Sequence, residues 1–583
     1  DQQRARSASG SFRMGAKMRV LGITNNDLSG AALMIDGNIV AAASEERFNR
    51  IKEFKGWPTQ AIEFVLRQGA VRLSELDAVA YGWSAGFRDE LHLDLYLDRL
   101  AESAVDDPST AATIVKRLKD ERNNDRAPRV EFDAFLAAHG LQDRAALIDH
   151  HECHALGAYL LSPFDDAYVL TCDGRGDYQS LTLSKMAADE IVTLHRETST
   201  DSLGYFFGRV TRLLGFKHNR HEGKLTGLAA YGNAVATAPL MRKMIDYRSG
   251  RIRASCGDHF MPYYDDLSAD LVAEIAQHSM EDVAAGAQSH LEYILTSFLA
   301  DAQKRYGIRR LCVAGGVFGN VKLNQRIAEI EGIDELFVLP CMGDGGLALC
   351  AAAAASFLRY GHRANLTTMS LGPEYGAYRP GNIDDFDAVS RADVGDARFQ
   401  LEIVKRLEQG EVVGAVRGRM EFGPRALCNR SLIASPVDAT INDTLNARLS
   451  RSEFMPFAPV IADRHCSSAF EGWKESDFSS RFMTRTYDCS DAFEKTCPAV
   501  VHVDGTARPQ VLCREDDPFM YDLLLRWHET TGMMALINTS FNRHEEPIIC
   551  HPDQGVESLR EGIIDALLIN DELLLARREV NSA

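Results

Sequence analysis

Histidines 150 and 154 stand four residues apart in the stretch "LIDHHECHALGAYLLSP" (147–163). On a helix that spacing stacks both imidazoles on one face, one turn apart, where two ring nitrogens can share a metal ion. The zinc-protease pattern H-E-x-x-H is absent, because it needs a histidine at Ala155. Two histidines alone suit a partly exposed helix N-terminus equally well, so further ligands must come from elsewhere. Asp173 ends one apolar stretch, "AYVLTCD", and Asp344 follows another, "ELFVLPCMG". Ligand sites in α/β folds gather at strand ends. His150, His154, Asp173 and Asp344 make a mixed N/O set suited to Fe(II), Zn or Mn. The plainer readings are a turn aspartate at 173 and a helix N-cap at 344, before "GGLALCAAAA".

Three further segments form an ordered set: "NNDLSGAA", "CDGRGD" and "VAGGVFGN". Small and acidic residues at two hairpin turns, then a Gly-Gly after a buried strand, suit an ATPase that clamps phosphates between related lobes. Glycine lets backbone N–H groups approach phosphate oxygens. Gly315 and Gly316 would let the chain pass close to an adenine or ribose, and Asn320 would bond the ribose or phosphates. Gly pairs after strands are more often packing devices, so the order of the three segments carries more weight than any one.

The elements that must position these residues follow from the hydrophobic pattern. Residues 18–50 read as an apolar strand and a hairpin turning at Asp36-Gly37, a strong short hairpin signal. A helix (58–70), the strand "DAVAYGW" and a polar helical insertion (86–145) lead to the histidine helix. A second strand–turn–strand (167–186), a loop or helix start at "EGKLTGLAAYG", a long helix (281–306), the strand "RLCVAGGVFGN" and an Ala-rich helix complete the first half. Residues 362–380 lack periodicity and mark a domain boundary. The second half is again α/β: a helix (397–409), then strands at "EVVGAVRGR", "RSLIASP", "EFMPFAPVIA", "MMALINTSFN" and "DALLINDELLLAR".

Composition sets the bounds. With 583 residues, 45% apolar and 25% charged, the chain is an ordinary globular protein of more than one domain. A net charge of −19 argues against non-specific binding to nucleic acid or an anionic membrane. No apolar run approaches a membrane span. Twelve scattered cysteines without a C-x-x-C read as buried thiols of a cytoplasmic protein. Residues 1–17 read as a leader or disordered arm.

Taken together, "HHECH", "DGRGD", "EGKLTGLAAYG", "VAGGVFGN", "GDGG", "SLGPEYG", "EFGPRALCNRS", "PFAP", "TARPQ" and "INTSFNRHEEPI" resemble the NodU/CmcH family of carbamoyltransferases, in the family's order and over nearly the whole chain. The resemblance implies an N-terminal actin-like ATPase domain (18–361), similar to the tRNA threonylcarbamoylation enzyme, and a C-terminal YrdC-like twisted α/β domain (375–583). It implies that carbamoyl phosphate and ATP, with Mg²⁺, react in the second domain to carbamoyl-adenylate. A hydroxyl of a small-molecule acceptor then takes the carbamoyl group in the first. It makes His150, His154, Asp173 and Asp344 the ligands of one transition metal, with Fe(II) the leading candidate and Zn or Mn the alternatives. Catalytic roles fall to Asp27, His150 and Asp173, and His151 and Glu152 become supporting residues.

The second half agrees with that reading. Arg419, Arg425, Arg430, Arg451 and Arg508 stand in or beside Gly/Pro-rich turns, and arginine forks suit a planar carbamate and a phosphate. Arg425, Arg451 and Arg508 are the expected carbamoyl-phosphate ligands, and surface or inter-domain pairing is expected of about two of the five. Asn538 and Asn542 are expected to donate amide hydrogens to the same ligand. Gly223 and Lys224 of "EGK" are the expected nucleotide contacts. Three departures stand out. Asp27 occupies the place of a family histidine, Cys428 replaces a glycine, and Leu449 stands where a lysine is common. Tyr205, Phe206, Phe207 and Phe216 read as core first and as an acceptor platform second. The resemblance leaves room for a homodimer. The competing readings are an actin-like small-molecule kinase with a regulatory second domain, and carbamoylation of an amine or a macromolecule.

Overall fold

The first strand, β1 (Arg19–Thr24), alternates little and is buried on both faces, as a central strand must be. It pairs antiparallel with β2 (Gly30–Ile35), which turns through Asp36 (φ 51°) and Gly37 (φ 80°) into β3 (Asn38–Ser44). Two consecutive positive φ values are what the tight hairpin turn demands. β4 (Ala78–Tyr81) and β5 (Ala145–Leu147) add in parallel, giving the order β3-β2-β1-β4-β5. The pattern then repeats. β6 (Ala167–Gly176), β7 (Gln179–Met186) and β8 (Ile191–Thr198) form an antiparallel meander. A small hairpin, β9 (Ile245–Arg248) with β10 (Arg251–Ala254), stands apart. β11 (Arg310–Ala314) and β12 (Glu335–Val338) add in parallel to β6, giving β8-β7-β6-β11-β12. Two sheets of one topology are the duplicated lobes of an actin-like fold.

Beyond them lies one eight-stranded mixed sheet, the expected twisted α/β layer. Its strands are β13 (Phe386–Ser390), β14 (Val413–Val416), β15 (Arg430–Ala434), β16 (Ala458–Ala462), β19 (Gln510–Leu512), β20 (Ala535–Ser540), β21 (Ala566–Ile569) and β22 (Glu572–Ala576). The order is β13-β22-β21-β14-β15-β20-β16-β19. A two-stranded ribbon, β17 (Tyr487–Asp488) with β18 (Thr506–Ala507), flanks it. This computed structural model describes residues 17–576 apart from 85–88, 107, 188–189, 257–259, 261–266, 377, 379–385 and 451–456. The arm 1–17, save Lys17, and Arg451 thus lie outside the described residues.

Small residues let the layers close on the site. The helix Leu347–Tyr360 carries five consecutive alanines, and a Cβ on Gly22 of β1 would lie 1.9 Å from the Ala348 carbonyl oxygen. That approach draws the turn holding Asp344 onto the end of the first sheet. The insertion folds as three helices, Asp89–Asp106, Pro108–Asn124 and Arg126–His139. "EGKLTGLA" is a full helix, Glu222–Ala229, where the sequence left loop or helix open. Strand β11 stops at Ala314 rather than running to 320, because Gly316–Gly319 coil into a 3₁₀ turn. Tyr205, Phe206 and Phe207 are buried and Phe216 packs partly buried against the same core, so the core reading of this run holds. All twelve cysteines are free, and eleven are buried. Among the described residues no helix is long and apolar enough to cross a membrane.

Candidate active site

Asp149 opens the histidine helix, His150–Leu161, by accepting hydrogen bonds from the His151 and Glu152 amides. Asp177, in the β6–β7 turn, accepts the His150 amide at 2.9 Å, locking the helix start to the second sheet. The face so fixed carries His150 and His154. Asp173 arrives from the end of β6 and Asp344 from the turn before the Ala-rich helix. One donor atom from each of the four lies within 4.8 Å of the others. His154 Nε2 is 3.5 Å from Asp173 Oδ2 and 3.3 Å from Asp344 Oδ1, and His150 Nε2 is 3.9 and 3.7 Å from the same atoms. Ligands at about 2.0–2.1 Å from a tetrahedral ion sit roughly 3.3–3.5 Å from one another, so the set fits one ion with little adjustment.

The polar atoms of this cluster support that fit. Among the described residues neither ring nitrogen of His150 has a hydrogen-bond partner, although the imidazole is fully buried. A buried donor or acceptor left so costs free energy, and an ion would relieve it. Burial works against a charged His154, yet interactions with Asp173 and Asp344 outweigh it and raise its pKa to about 9. Burial also opposes ionised Asp173, but His150 and His154 hold its carboxyl well below the usual range. Asp344 is pushed up by burial and by the Asp173 charge beside it. Cation binding at this centre therefore releases a proton. The aspartates keep 16% and 12% of their side chains exposed while the histidines keep none, so the centre opens on its carboxylate side.

Neighbours hold the cluster in place. Gly316 donates its amide to Asp173 Oδ2 at 3.0 Å, and Gly174 donates to Oδ1 at 2.7 Å. Trp83 packs on the His150 ring at 4.2 Å between centroids. His151 points the other way, its Nδ1 2.8 Å from Thr171 Oγ1, and burial drops its pKa to about 3. Asp344 is not the cap of the helix that follows; Gly346 holds that position, with no side-chain cap. Gly176 leaves room for the His150 ring: a Cβ there would lie 2.0 Å from Cδ2. Gly176→Ala is therefore expected to displace His150, lowering stability by about 2 kcal/mol. Bound metal per chain, read by atomic absorption beside the unfolding midpoint, checks this.

A second feature lies between the domains. A cleft of about 390 Å³ is lined from the first domain by Gly223, Lys224, Thr226, Gly319 and Asn320, and from the second by Arg425, Arg508, Asn538 and Asn542. Segments far apart in sequence thus meet on one ligand-sized space. Among the described residues Arg425 faces no carboxylate; its Nη2 reaches only the Gly319 carbonyl at 3.4 Å, and its Nε is enclosed without a partner. Burial without a counter-ion pulls its pKa down to about 10. The 3₁₀ turn Gly316–Gly319 joins the two features: Gly316 touches Asp173 and Gly319 touches Arg425. At the 3₁₀ rise that is roughly 6 Å along the turn.

Residues 19–353 match the family described as Carbamoyltransferase N-terminus, and residues 404–576 match Carbamoyltransferase C-terminus. The chain belongs to the carbamoyltransferase family. Nodulation protein NolNO of Sinorhizobium fredii is 30% identical to this carbamoyltransferase, over 94% of this chain and 79% of that protein. Nodulation protein NolO of Bradyrhizobium diazoefficiens is 31% identical over 74% and 79%. An uncharacterised protein of Methanocaldococcus jannaschii is 29% identical over 95% and 99%. A crystal structure of T. kodakarensis HypF overlaps at a TM-score of 0.32 and 13% identity, over 59% of this chain and 48% of that one, about half its length.

Several residues of the carbamoyltransferase stand elsewhere than expected. Gly315 and Gly316 do not line the cleft. Gly315, at φ 106°, passes under the Cys172 carbonyl, where a Cβ would lie 2.2 Å away, and so brings Gly316 to Asp173. Asn320 lines the cleft but is tied down, capping the next helix through Leu323 and bonding Gln288. Asn538 gives its amide to Gln510 Oε1 at 2.6 Å, leaving only its Oδ1 unpartnered, so it is no donor to a ligand in this state. Asn542 spends its amide on the Arg543 and Glu546 carbonyls of its own turn. Arg430 is fully buried on backbone carbonyls, including Cys550 and Arg417. Arg419 bonds Gly372 and Val40, stitching the second domain to the first. These two are the structural arginines, paired with carbonyls and not with acids. Asp27 is half-exposed and held by Lys55 Nζ at 2.6 Å; its loop lies against the Asp344 turn, since a Cβ on Gly345 would lie 3.2 Å from Leu28. Leu449 is core, 1% exposed.

Cys428 adopts φ 77°, the left-handed region that favours glycine. Its Sγ meets Gln510 Oε1 at 3.3 Å and Asn538 Nδ2 at 3.5 Å. Both Cys428→Ala and Cys428→Gly delete those contacts, but only glycine relieves the backbone. The glycine variant is expected to be the more stable of the two by about 1 kcal/mol, reversing the usual order. Urea unfolding of the pair measures it.

Sequence reasoning missed Gln510, Asp177 and Trp83. Asp177 and Gln510 fall inside the quoted "DGRGD" and "TARPQ", yet each of the three acts on a partner elsewhere in the chain, which no local spacing announces. Asp149 was passed over as well, although an aspartate directly before a helix is a local cap signal that could have found it.

Proposed function

We propose that this carbamoyltransferase makes carbamoyl-adenylate from ATP and carbamoyl phosphate in the cleft between its domains, and then transfers the carbamoyl group to a hydroxyl of a small-molecule acceptor. On this reading residues 18–361 supply the transfer centre and one wall of the cleft, and residues 375–583 supply the other wall. The observation that carries it is Arg425: a half-buried guanidinium without a counter-ion, in a cleft that also holds Lys224 and Arg508, is built for an anion. Carbamoyl phosphate loses its phosphate to water, giving carbamate and inorganic phosphate. A carbamate oxygen then attacks the α-phosphorus of Mg²⁺-bound ATP, and pyrophosphate leaves. Arg425 and Arg508 neutralise carbamate and phosphate oxygens, Lys224 the nucleotide phosphates. The Gly316–Gly319 turn sets the short path from cleft to transfer centre.

At that centre His150, His154, Asp173 and Asp344 would hold Fe(II), Zn or Mn, which when bound supplies Lewis acidity toward a carbonyl or hydroxyl oxygen. Gly316 and Gly174 keep the Asp173 carboxylate turned to that space. Asp27, at the neighbouring loop, takes the acceptor hydroxyl proton once released from Lys55. Attack of the acceptor oxygen on the carbamoyl carbon expels AMP.

The test follows ATP labelled on its α-phosphate, with and without carbamoyl phosphate and without acceptor. AMP-level product with pyrophosphate, dependent on carbamoyl phosphate, is expected. ADP formation indifferent to carbamoyl phosphate is the result of a small-molecule kinase and sinks the proposal. A kinase gives no reason for the His/Asp cluster or the arginine-lined second domain. Carbamoylation of an amine or a macromolecule would keep the adenylate and change only the acceptor.

A further inference from the structure

One group of charges on the cleft is unused by this reading. The turn before the helix Glu222–Ala229 sends three bases across the domain boundary to one carboxylate. Lys217 Nζ lies 3.0 Å from Glu545 Oε2, Arg220 Nη2 lies 3.2 Å from the same oxygen, and His221 Nε2 lies 3.2 Å from Oε1. His544 Nε2 stands 3.7 Å from Oε1, and Arg220 also reaches Glu53 at 3.5 Å. Burial opposes the Glu545 charge, yet the bases hold its pKa down to about 2. Arg220, His221 and Glu545 all line the cleft, beside Lys224 and Arg425. With Glu545 displaced, two cations and an imidazole face this space, opposed only by Glu53 beside Arg220. They suit a phosphoryl group, with three terminal oxygens and a charge nearer −2.

We propose that Lys217, Arg220 and His221 form a phosphoanhydride subsite at the domain boundary, and that Glu545 is an internal anion occupying it until pyrophosphate or the β,γ-phosphates of a nucleotide displace it. The proposal deepens the adenylation reading and rests on it only for the nucleotide. Glu545 belongs to the "RHE" segment between "NTSFN" and "EPI", directly after the strand end that carries Asn538 and Asn542 to the cleft. His221, His544 and Glu545 also have donor atoms within 4.8 Å of one another, as a metal site would. Two cations already fixed within 3.2 Å of that carboxylate oppose a third positive charge, so an anion is favoured.

The test is calorimetric titration of the full-length protein with pyrophosphate, and separately with ATP, at fixed ionic strength. Glu545→Gln keeps the shape and removes the competing charge; it is expected to tighten pyrophosphate about tenfold, the size of one charge-assisted contact. Lys217→Ala with Arg220→Ala is expected to weaken it by about tenfold or more, and to cancel the Glu545→Gln gain. A gain for both titrants places the β,γ-phosphates of the nucleotide here, and a gain for pyrophosphate alone marks a product subsite. Unchanged or weaker pyrophosphate binding by Glu545→Gln, with an unaltered unfolding midpoint, overturns the proposal. Zn²⁺ binding lost in His544→Ala, with pyrophosphate affinity indifferent to residue 545, overturns it in favour of a metal. The test is independent of turnover. If the wild type forms no AMP while Glu545→Gln still tightens pyrophosphate, the subsite stands and the adenylation reading falls.

Discussion

Arg425→Ala is expected to lower carbamoyl-phosphate-dependent AMP formation by about a hundredfold, or roughly 3 kcal/mol of transition-state stabilisation. The reason lies in where its charge goes. Among the described residues the guanidinium meets no carboxylate, and its one hydrogen bond goes to the Gly319 carbonyl at 3.4 Å. Its interactions are thus held in reserve for an anion that arrives, and a preorganised donor is worth most as charge builds on the reacting phosphate. The same geometry predicts little cost to the fold. Removing a desolvated cation that, among the described residues, meets no acid and only one carbonyl should leave the unfolding free energy within about 1 kcal/mol of wild type. Arg425→Lys keeps the charge but not the fork, and is expected to fall between the two. Initial rates and unfolding midpoints of the three proteins, measured together, check the prediction. An arginine acting as structure would show the reverse, with stability lost and rate retained.

His154→Ala is expected to act on the other half of the reaction. Its Nε2 is the ring nitrogen nearest both aspartates, 3.5 Å from Asp173 and 3.3 Å from Asp344. Its loss leaves His150 with two carboxylates, a set with one imidazole too few to hold a borderline metal firmly. Bound metal should fall to background, and transfer to the acceptor should drop by at least about a thousandfold. Carbamoyl-adenylate formation in the cleft, read as carbamoyl-phosphate-dependent release of pyrophosphate without acceptor, should stay within about threefold of wild type, because none of the four residues lines the cleft. A strong chelator is expected to lower the wild-type unfolding midpoint and to leave that of His154→Ala unmoved, since a ligand stabilises only the state that binds it.

How much of this was legible in the sequence differs from residue to residue. The four-residue spacing of His150 and His154 is a local, periodic signal, and the structure puts both on one helix face as that period requires. Asp173 and Asp344 were legible as strand-end acids, and their strands, β6 and β12, flank β11 in parallel within one sheet, which brings their ends to the same edge. The Asp36-Gly37 turn needed nothing beyond its two residues. The misses share another cause. Gly315 and Gly316 were read as nucleotide contacts because glycine after a strand announces a close approach, but not to what; here it is the Cys172 carbonyl and the Asp173 carboxylate. Asn538 looked like a free amide because its partner, Gln510, comes from the edge strand β19, reached across β16. Cys428 takes a left-handed backbone, φ 77°, that suits the glycine expected there, and a cysteine in the sequence announces no such conformation. The Glu545 contact joins residues more than three hundred positions apart, a pairing that no periodicity encodes.

The central claim is that adenylation occurs in the arginine-lined cleft and is separable from the His/Asp centre that receives its product. The most direct measurement is exchange of labelled pyrophosphate into ATP, dependent on carbamoyl phosphate and without acceptor, in wild type, His154→Ala and Arg425→Ala side by side. The account predicts exchange in the wild type and in His154→Ala, and its loss in Arg425→Ala. Exchange that survives in Arg425→Ala and disappears in His154→Ala would contradict it, placing the chemistry of both steps at the metal centre.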